Sequence, residues 1–211
     1  MMTRTLSKLP TTEFEAPLWA QGLTYVAGAD EAGRGAWAGP VVAAAVILHP
    51  ARLPDGLNDS KRLSPAQREQ LYAALETAAE SVGVGVVSAD VIDQINILEA
   101  TRQAMRQALA ALTPKAEFAL LDAIALPGLE LPQRAIVKGD ARCVSIAAAS
   151  IVAKVCRDRL MTALDARYPM YGFARHKGYG TAYHQQALQK HGPCPAHRLT
   201  FRGVAPSALR A

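Results

Sequence analysis

The chain has 211 residues, half of them hydrophobic and 19% charged, with a mean hydropathy of +0.06; that is too much apolar content for a disordered chain and enough for one compact domain with a sizeable core. Its longest apolar runs, such as Val41–Leu48, fall well short of the roughly 20 residues a membrane helix needs, so no membrane span is expected. Net charge is +5 but unevenly divided, with 10 Lys+Arg against 15 Asp+Glu through Gln133 and 13 against 3 from Arg134 onward, which suggests a polyanionic partner, with a generic solvated basic face as the plainer alternative.

Residues 1–20 carry Glu13 and Glu15 and no apolar block behind their basic residues, so they read as a flexible lead-in without secretory or transit signal, and the cytoplasm is the default address. Residues 23–30 read as a buried strand and Val41–Leu48 as a second, with a glycine-broken turn between them. Ser64-Pro65-Ala66-Gln67 combines an N-cap serine, a proline at the first helical position and a capping-box glutamine, opening a helix to about Glu80. Residues 82–88, alternating with glycine, read as a third strand. Asn96 followed by Glu99 repeats the cap pattern for a helix to about Leu112, which Thr113-Pro114 ends. Residues 118–122 and 134–137 are strands four and five. The small-residue segment 145–164 suits a buried helix closed by Pro169, and a last helix starts near Thr181. This order describes an α/β sheet with a helical C-terminal tail: a core over 21–165 and an extension over 166–211, read as a monomer. Cys143, Cys156 and Cys194 form no CxxC pair and leave an odd thiol, which favours reduced, mostly buried thiols over disulfides or zinc.

The segment Gly28-Ala29-Asp30-Glu31-Ala32-Gly33-Arg34-Gly35 places two adjacent acids at the end of an apolar strand, running into a glycine turn. Carboxylates beside a core strand are costly unless a cation neutralises them. Glycines bring backbone N–H groups close to a ligand, and Arg34 between them offers a planar donor fork. Asp122 and Asp140 end or follow apolar strands in comparable places. Singly, each reads more readily as a strand-end cap or N-cap. Together the four form a hard oxygen set suited to Mg²⁺ or Mn²⁺.

Several ordered motifs resemble those of the type 2 ribonuclease H family, the bacterial ribonuclease HII group. They are Asp30-Glu31-Ala32-Gly33-Arg34-Gly35 with Ala38-Gly39-Pro40-Val41-Val42, then Asn58-Asp59-Ser60-Lys61, Lys138-Gly139-Asp140, the run from Ser145 to Val155 with Arg157-Asp158, and Lys177-Gly178-Tyr179-Gly180-Thr181. The resemblance implies a ribonuclease H-like five-stranded mixed sheet flanked by helices, with a C-terminal helical segment closing over substrate. It implies Asp30, Glu31, Asp122 and Asp140 as metal ligands and catalytic residues. Gly33, Arg34 and Gly35 would read the ribose 2′-hydroxyl, Tyr179 would pack at the ribonucleotide–deoxyribonucleotide junction, and Lys61 would lie near the substrate backbone. Two positions depart from the family pattern: Ala123 stands where glycine is usual, and Ala36 where proline is common.

The expected reaction is two-metal-ion hydrolysis of the RNA strand of RNA/DNA hybrids and nicking of duplex DNA at embedded ribonucleotides, leaving 3′-hydroxyl and 5′-phosphate ends in ribonucleotide removal from DNA. A Holliday-junction resolvase or other ribonuclease H-like nuclease would share the acids and the basic charge, but not the G-R-G turn or Tyr179. A non-catalytic hybrid-binding protein would gain nothing from clustered negative charge. On the residues alone, Lys61 reads as a solvated lysine, Asp158 as an ion pair with Lys154, and Trp37 as a packing residue. His176, His184, His191 and His197 lack zinc spacing and read as phosphate contacts or local hydrogen-bonding groups.

Overall fold

The computed structural model describes residues 9–204. A single five-stranded sheet runs in the order β3-β2-β1-β4-β5, made of β1 (Val26–Ala32), β2 (Val41–Leu48), β3 (Ala79–Val87), β4 (Phe118–Asp122) and β5 (Gln133–Ile136). The first three strands form an antiparallel meander, while β4 and β5 are parallel to β1, so the sheet is mixed. Among the described residues six helices accompany it: α1 (Ala16–Ala20), α2 (Pro65–Ala78), α3 (Ala89–Ala110), α4 (Val144–Arg167), α5 (Phe173–His176) and α6 (Ala182–His191).

β2 is buried on both faces, which is why it is a continuous apolar run rather than an alternating one. Ala43, Ala45 and Ile47 face α3, and Ala44, Val46 and Leu48 face α4. β3 alternates because only one of its faces is covered: Gly83 and Gly85 lie under α3, where a Cβ would come within 2.1 Å of the Ala108 carbonyl and 2.0 Å of the Ala104 carbonyl. The N-terminal end of α4 presses on β1 just as closely. A Cβ on Gly28 would fall 2.1 Å from the backbone of Ser145, and the buried small residues Ala147, Ala148 and Ala149 keep the next turn of the helix thin. The result is that the ends of β1 and β4 open beside the start of α4.

The capping box of α2 forms as its sequence predicts: Ser64 Oγ accepts from the Gln67 N–H, and Gln67 returns the bond to the Ser64 N–H. α3 starts earlier than expected, at Ala89 after Ser88. Asn96 is a kink inside it, with φ 66°, and its Oδ1 caps Leu98 and Glu99 at 2.9 and 3.2 Å. The cap at Asn96 is therefore real, but it restarts a helix already under way.

Of the lead-in expected over residues 1–20, the described part, residues 9–20, is packed on the core. Phe14 is buried, the Glu15 Oε1 accepts from the Ser145 N–H at 2.8 Å and from the Cys143 thiol at 2.9 Å, and α1 packs Leu18 and Trp19 against Val26 and Ile146. Glu15 thus serves as a distant N-terminal cap for α4, a contact that sequence spacing cannot reveal. Residues 1–8 and 205–211 lie outside the described residues. α4 runs on to Arg167, so the C-terminal segment begins at Tyr168, and it builds a small core of its own from Tyr171, Phe173, Ala187 and Leu188 against Ala38 and Met161.

Candidate active site

Parallel pairing of β1 with β4 aligns Ala29 with Leu121, which puts Asp30, two residues before the end of β1, level with Asp122, the last residue of β4. Asp30 is buried, and its Oδ1 accepts from the Glu31 N–H at 2.7 Å. Asp122 Oδ1 accepts from the Gly139 N–H at 2.7 Å, which draws the 3-10 turn Gly139–Ala141, and with it Asp140, against the end of β4. Asp30 senses the other three acids. Burial first, then the charges of Glu31, Asp122 and Asp140, push the Asp30 carboxyl well above the usual carboxylate range. Burial likewise raises Glu31 and Asp122. The second oxygen of Glu31 is buried without a hydrogen-bond partner.

Among the described residues no three acids, histidines or cysteines converge as a ready-made cage. The arrangement is an open rim of hard oxygen donors, of the kind Mg²⁺ and Mn²⁺ use while retaining water and phosphate oxygens in their coordination sphere. The cost of so much buried negative charge, with one carboxylate oxygen orphaned, fits divalent cations.

Lys61, expected near the substrate backbone, also touches the acids. Its Nζ lies 3.0 Å from Asp140 Oδ2 and 3.8 Å from Asp59 Oδ1 while most of the side chain is exposed. Burial disfavours its charge, but the bond to Asp140 and the charges of Asp140, Asp59 and Asp30 outweigh that and raise its pKa. Arg34 leans back toward Glu31, at 3.5 Å, with its side chain half exposed.

The G-R-G turn and Tyr179 meet, although 144 positions separate Gly35 from Tyr179 in the sequence. A Cβ on Gly35 would stand 3.9 Å from the Tyr179 ring. The glycines flanking Tyr179 are required by close approach: a Cβ on Gly178 would meet the Ala38 carbonyl at 2.4 Å, and one on Gly180 the Trp37 ring at 2.4 Å. Trp37 and Ala38 donate to the Gly178 carbonyl at 2.8 and 3.2 Å, and Ala38 pairs with His197 in an antiparallel bridge. Trp37 is indeed a packing residue.

The sequence model of the family described as ribonuclease HII matches residues 27–204, a span that takes in all four acids, the turn and Tyr179. The chain belongs to the ribonuclease HII family. Among its relatives, the ribonuclease HII of Chloroflexus aurantiacus is 55% identical over 206 residues, covering 95% of this chain and 97% of its own. The crystal structure of ribonuclease H2 from Pyrococcus horikoshii superposes with a TM-score of 0.72 at 30% identity, covering 85% of this chain and 94% of that one. Bst ribonuclease HIII, solved in complex with Mn²⁺, shares the fold at 18% identity and a TM-score of 0.68, over 85% of this chain and 68% of its own.

The two departures from the ribonuclease HII pattern have local consequences. Ala123 adopts φ 53°, a left-handed conformation that glycine enters freely and an L-residue at a cost of about 1–2 kcal/mol. Ala123→Gly should therefore raise stability by about 1 kcal/mol in denaturant melts, once the extra chain entropy of glycine is deducted; an unchanged midpoint would show the strain is relieved elsewhere. At Ala36 the N–H donates to the Gly33 carbonyl at 3.3 Å, a bond a proline could not make.

Asp158 is an ion-pair residue, 2.6 Å from Lys154 and 3.9 Å from Arg68. Three of the four histidines are internal hydrogen-bonding groups. His197 Nδ1 accepts from the Cys194 N–H at 3.0 Å, so its Nε2–H donates to His184 Nε2 at 2.9 Å, and His184 Nδ1–H in turn donates to the Tyr179 carbonyl at 3.0 Å. His176 stacks on His184 with ring centroids 4.5 Å apart, its Nδ1 accepting from the Gly178 N–H at 3.2 Å. This chain of imidazoles fixes the backbone that carries Tyr179, a role invisible in the spacing of the histidines.

Burial and the neighbouring His184 push His197 down to about 4 from its ordinary 6.5. A histidine depressed by folding is protonated first in the unfolded chain, so its contribution is complete above about pH 6.5 and is lost as pH falls toward 4. The melting temperature of His197→Asn should accordingly depend less on pH across that window than that of the wild type. Equal pH slopes would mean that His197 titrates normally.

Proposed function

We propose that this protein is an endonuclease that hydrolyses the RNA strand of RNA/DNA hybrids and nicks duplex DNA at embedded ribonucleotides, leaving 3′-hydroxyl and 5′-phosphate ends. The observation that carries the reading is the meeting of two features: a rim of four carboxylates, from Asp30 to Asp140, and a G-R-G turn that faces an exposed tyrosine. Cleavage needs the first, and discrimination of RNA from DNA needs something like the second, because phosphates look alike on both strands and only the 2′-hydroxyl differs.

Asp30, Glu31, Asp122 and Asp140 would hold Mg²⁺ or Mn²⁺, which supply an activated water and charge neutralisation at the scissile phosphate. Asp30 is positioned by its bond from the Glu31 N–H and Asp122 by its bond from the Gly139 N–H, so neither rotates freely. Lys61, which bonds Asp140, would meet a phosphate oxygen from the same side. The backbone of Gly33, Arg34 and Gly35 would take the 2′-hydroxyl, and Tyr179 would pack on the sugar that follows.

Cleavage-site mapping on a DNA duplex with one ribonucleotide, with and without EDTA, tests this directly. A single cut at the ribonucleotide that EDTA abolishes is expected; binding without cutting in Mg²⁺ and Mn²⁺ would leave a hybrid-binding protein instead.

The basic C-terminal segment predicts how affinity depends on salt. Arg175 is exposed and Lys177 half-buried, close in sequence to Tyr179. If both lie on phosphates, Arg175→Gln with Lys177→Gln should lower the slope of log affinity against log salt by about 1.8, at roughly 0.9 per contact. An unchanged slope would take these two cations off the nucleic acid.

A further inference from the structure

Among the described residues the two largest fully buried side chains are arginines, Arg157 on α4 and Arg198 in the C-terminal segment. Buried guanidinium groups ordinarily meet a carboxylate. These two bond to backbone carbonyls instead, and the acid next to Arg157, Asp158, is engaged by Lys154 and Arg68. Arg157 donates through Nε to the Pro40 carbonyl at 3.0 Å, through Nη2 to the Ala38 carbonyl at 3.1 Å and through Nη1 to the Lys177 carbonyl at 2.9 Å. Arg198 donates through Nε and Nη2 to the Gly39 carbonyl at 3.0 and 2.8 Å, and through Nη1 to the Arg34 carbonyl at 2.9 Å.

All but one of those carbonyls belong to residues 34–40, the G-R-G turn and the segment leading out of it. The exception, Lys177, stands two residues before Tyr179. Arg157 also lies under the Tyr179 ring, with its Cζ 5.6 Å from the centroid, inside cation–π range. A Cβ on Gly33 would fall 1.9 Å from Arg157 Nε, so the turn is laid directly over this guanidinium.

We propose that Arg157 and Arg198 are positioning residues that clamp the G-R-G turn and the Tyr179 segment into one rigid body, fixing the distance between the group that reads the 2′-hydroxyl and the ring that packs on the next sugar. The inference rests on the reading that the turn and Tyr179 contact substrate in those two ways. A planar fork aims its five donors in fixed, widely spaced directions, which lets one side chain hold carbonyls from separate residues in register; a lysine has three donors, but they radiate from one nitrogen and cannot span the same set of carbonyls. Burial pushes the Arg198 guanidinium down to about 9, a measure of how far these cations are withdrawn from water. An apolar side chain of equal volume would carry no such burden. What the arginines supply in return is carbonyl geometry.

The test compares rates on three substrates: a DNA duplex with one ribonucleotide, the same duplex with a 2′-fluoro nucleotide at that position, and a long RNA/DNA hybrid. Arg198→Lys should narrow the ribonucleotide over 2′-fluoro preference by about tenfold, through kcat rather than KM, since it loosens the turn. Arg157→Lys should narrow that preference and also the ratio of single ribonucleotide to long hybrid, because it touches both halves. A merely structural role would reduce the active fraction and leave every ratio as it was. Wild-type ratios in folded lysine variants therefore overturn the clamp. If wild type itself cannot tell ribonucleotide from 2′-fluoro, the reading of the turn fails and the clamp fails with it. If wild type discriminates and Tyr179→Ala alters the hybrid ratio while neither arginine variant does, the clamp alone is lost.

A further measurement needs no variant. In hydrogen exchange on the wild-type protein, the amides of Trp37 and Ala38, which donate to Gly178, and that of Tyr179, which donates to His176 at 3.0 Å, should open with a common free energy. Independent opening of the two segments would also overturn the proposal.

Discussion

Replacing Asp30 with asparagine should abolish cleavage and raise the melting temperature of the metal-free protein. The two effects share one cause. The substitution keeps the shape and the bond from the Glu31 N–H while removing a charge that burial, Glu31, Asp122 and Asp140 all disfavour. Metal-assisted stabilisation of charge in the transition state is worth several kcal/mol, so losing a ligand should cost about three decades of rate or more. The stability gain follows from linkage. A carboxyl whose pKa is raised by folding burdens the native state wherever it is ionised, so the gain is present near neutral pH and vanishes below about pH 4, where Asp30 is protonated in both states.

Mn²⁺ should reverse the ranking. A cation that binds only the folded form stabilises by mass action, and the wild type, with its full set of acids, should gain more than the variant. Melting curves at neutral and acid pH, with and without Mn²⁺, check this alongside turnover. Wild-type turnover by Asp30→Asn in saturating Mg²⁺ would remove Asp30 from the site, and a fall in metal-free melting temperature would show that its charge is compensated by some other group.

The parts of this protein that could be read from its sequence are those in which a local pattern has one physical cause. β2 lies between two helix layers and is apolar throughout; α2 carries a complete capping box; Asp122 ends β4, and Asp30 and Glu31 break the apolar run of β1 just before its last residue. Those elements stand where the residues place them, and the five-stranded mixed sheet is the one the family resemblance implies. What escaped has its cause at a distance. Glu15 caps a helix that begins 129 positions later. The early start of α3 was hidden because Asn96 offers a stronger cap than Ser88, whose side chain makes no capping bond. Arg157 and Arg198 resemble any other basic residues in a basic region, and only their burial separates them from cations meant for phosphate. For the histidines the residues left two readings open, phosphate contact or local hydrogen bonding, and the inward bonds of His176, His184 and His197 are of the second kind.

Substituting Tyr179 should change which substrates are cut well more than whether they are cut. Tyr179 is 42% exposed, a large share for an aromatic residue whose loop is held so firmly. Its N–H donates to the His176 carbonyl, its own carbonyl accepts from Thr181 and His184, and Arg157 lies beneath it. A ring that is fixed and yet open to solvent is prepared for a partner, and rigidity means that little entropy is lost when the partner arrives. If that partner is the deoxyribose on the 3′ side of the cut, Tyr179→Ala removes a contact of about 1–3 kcal/mol, and cleavage at a single embedded ribonucleotide should fall by roughly one to two decades. On a uniform RNA/DNA hybrid that deoxyribose is missing, and the loss should be smaller. Tyr179→Phe separates ring from hydroxyl. The hydroxyl has no hydrogen-bond partner among the described residues, so the phenylalanine variant should stay within a few-fold of wild type if packing is what matters, and should approach alanine if the hydroxyl bonds the nucleic acid. The measurement is the ratio of rates on the two substrates for wild type and both variants, which cancels any difference in active enzyme. An unaltered ratio in Tyr179→Ala would mean that the junction is read elsewhere, and the facing of Tyr179 toward Gly35 would then be a matter of packing alone.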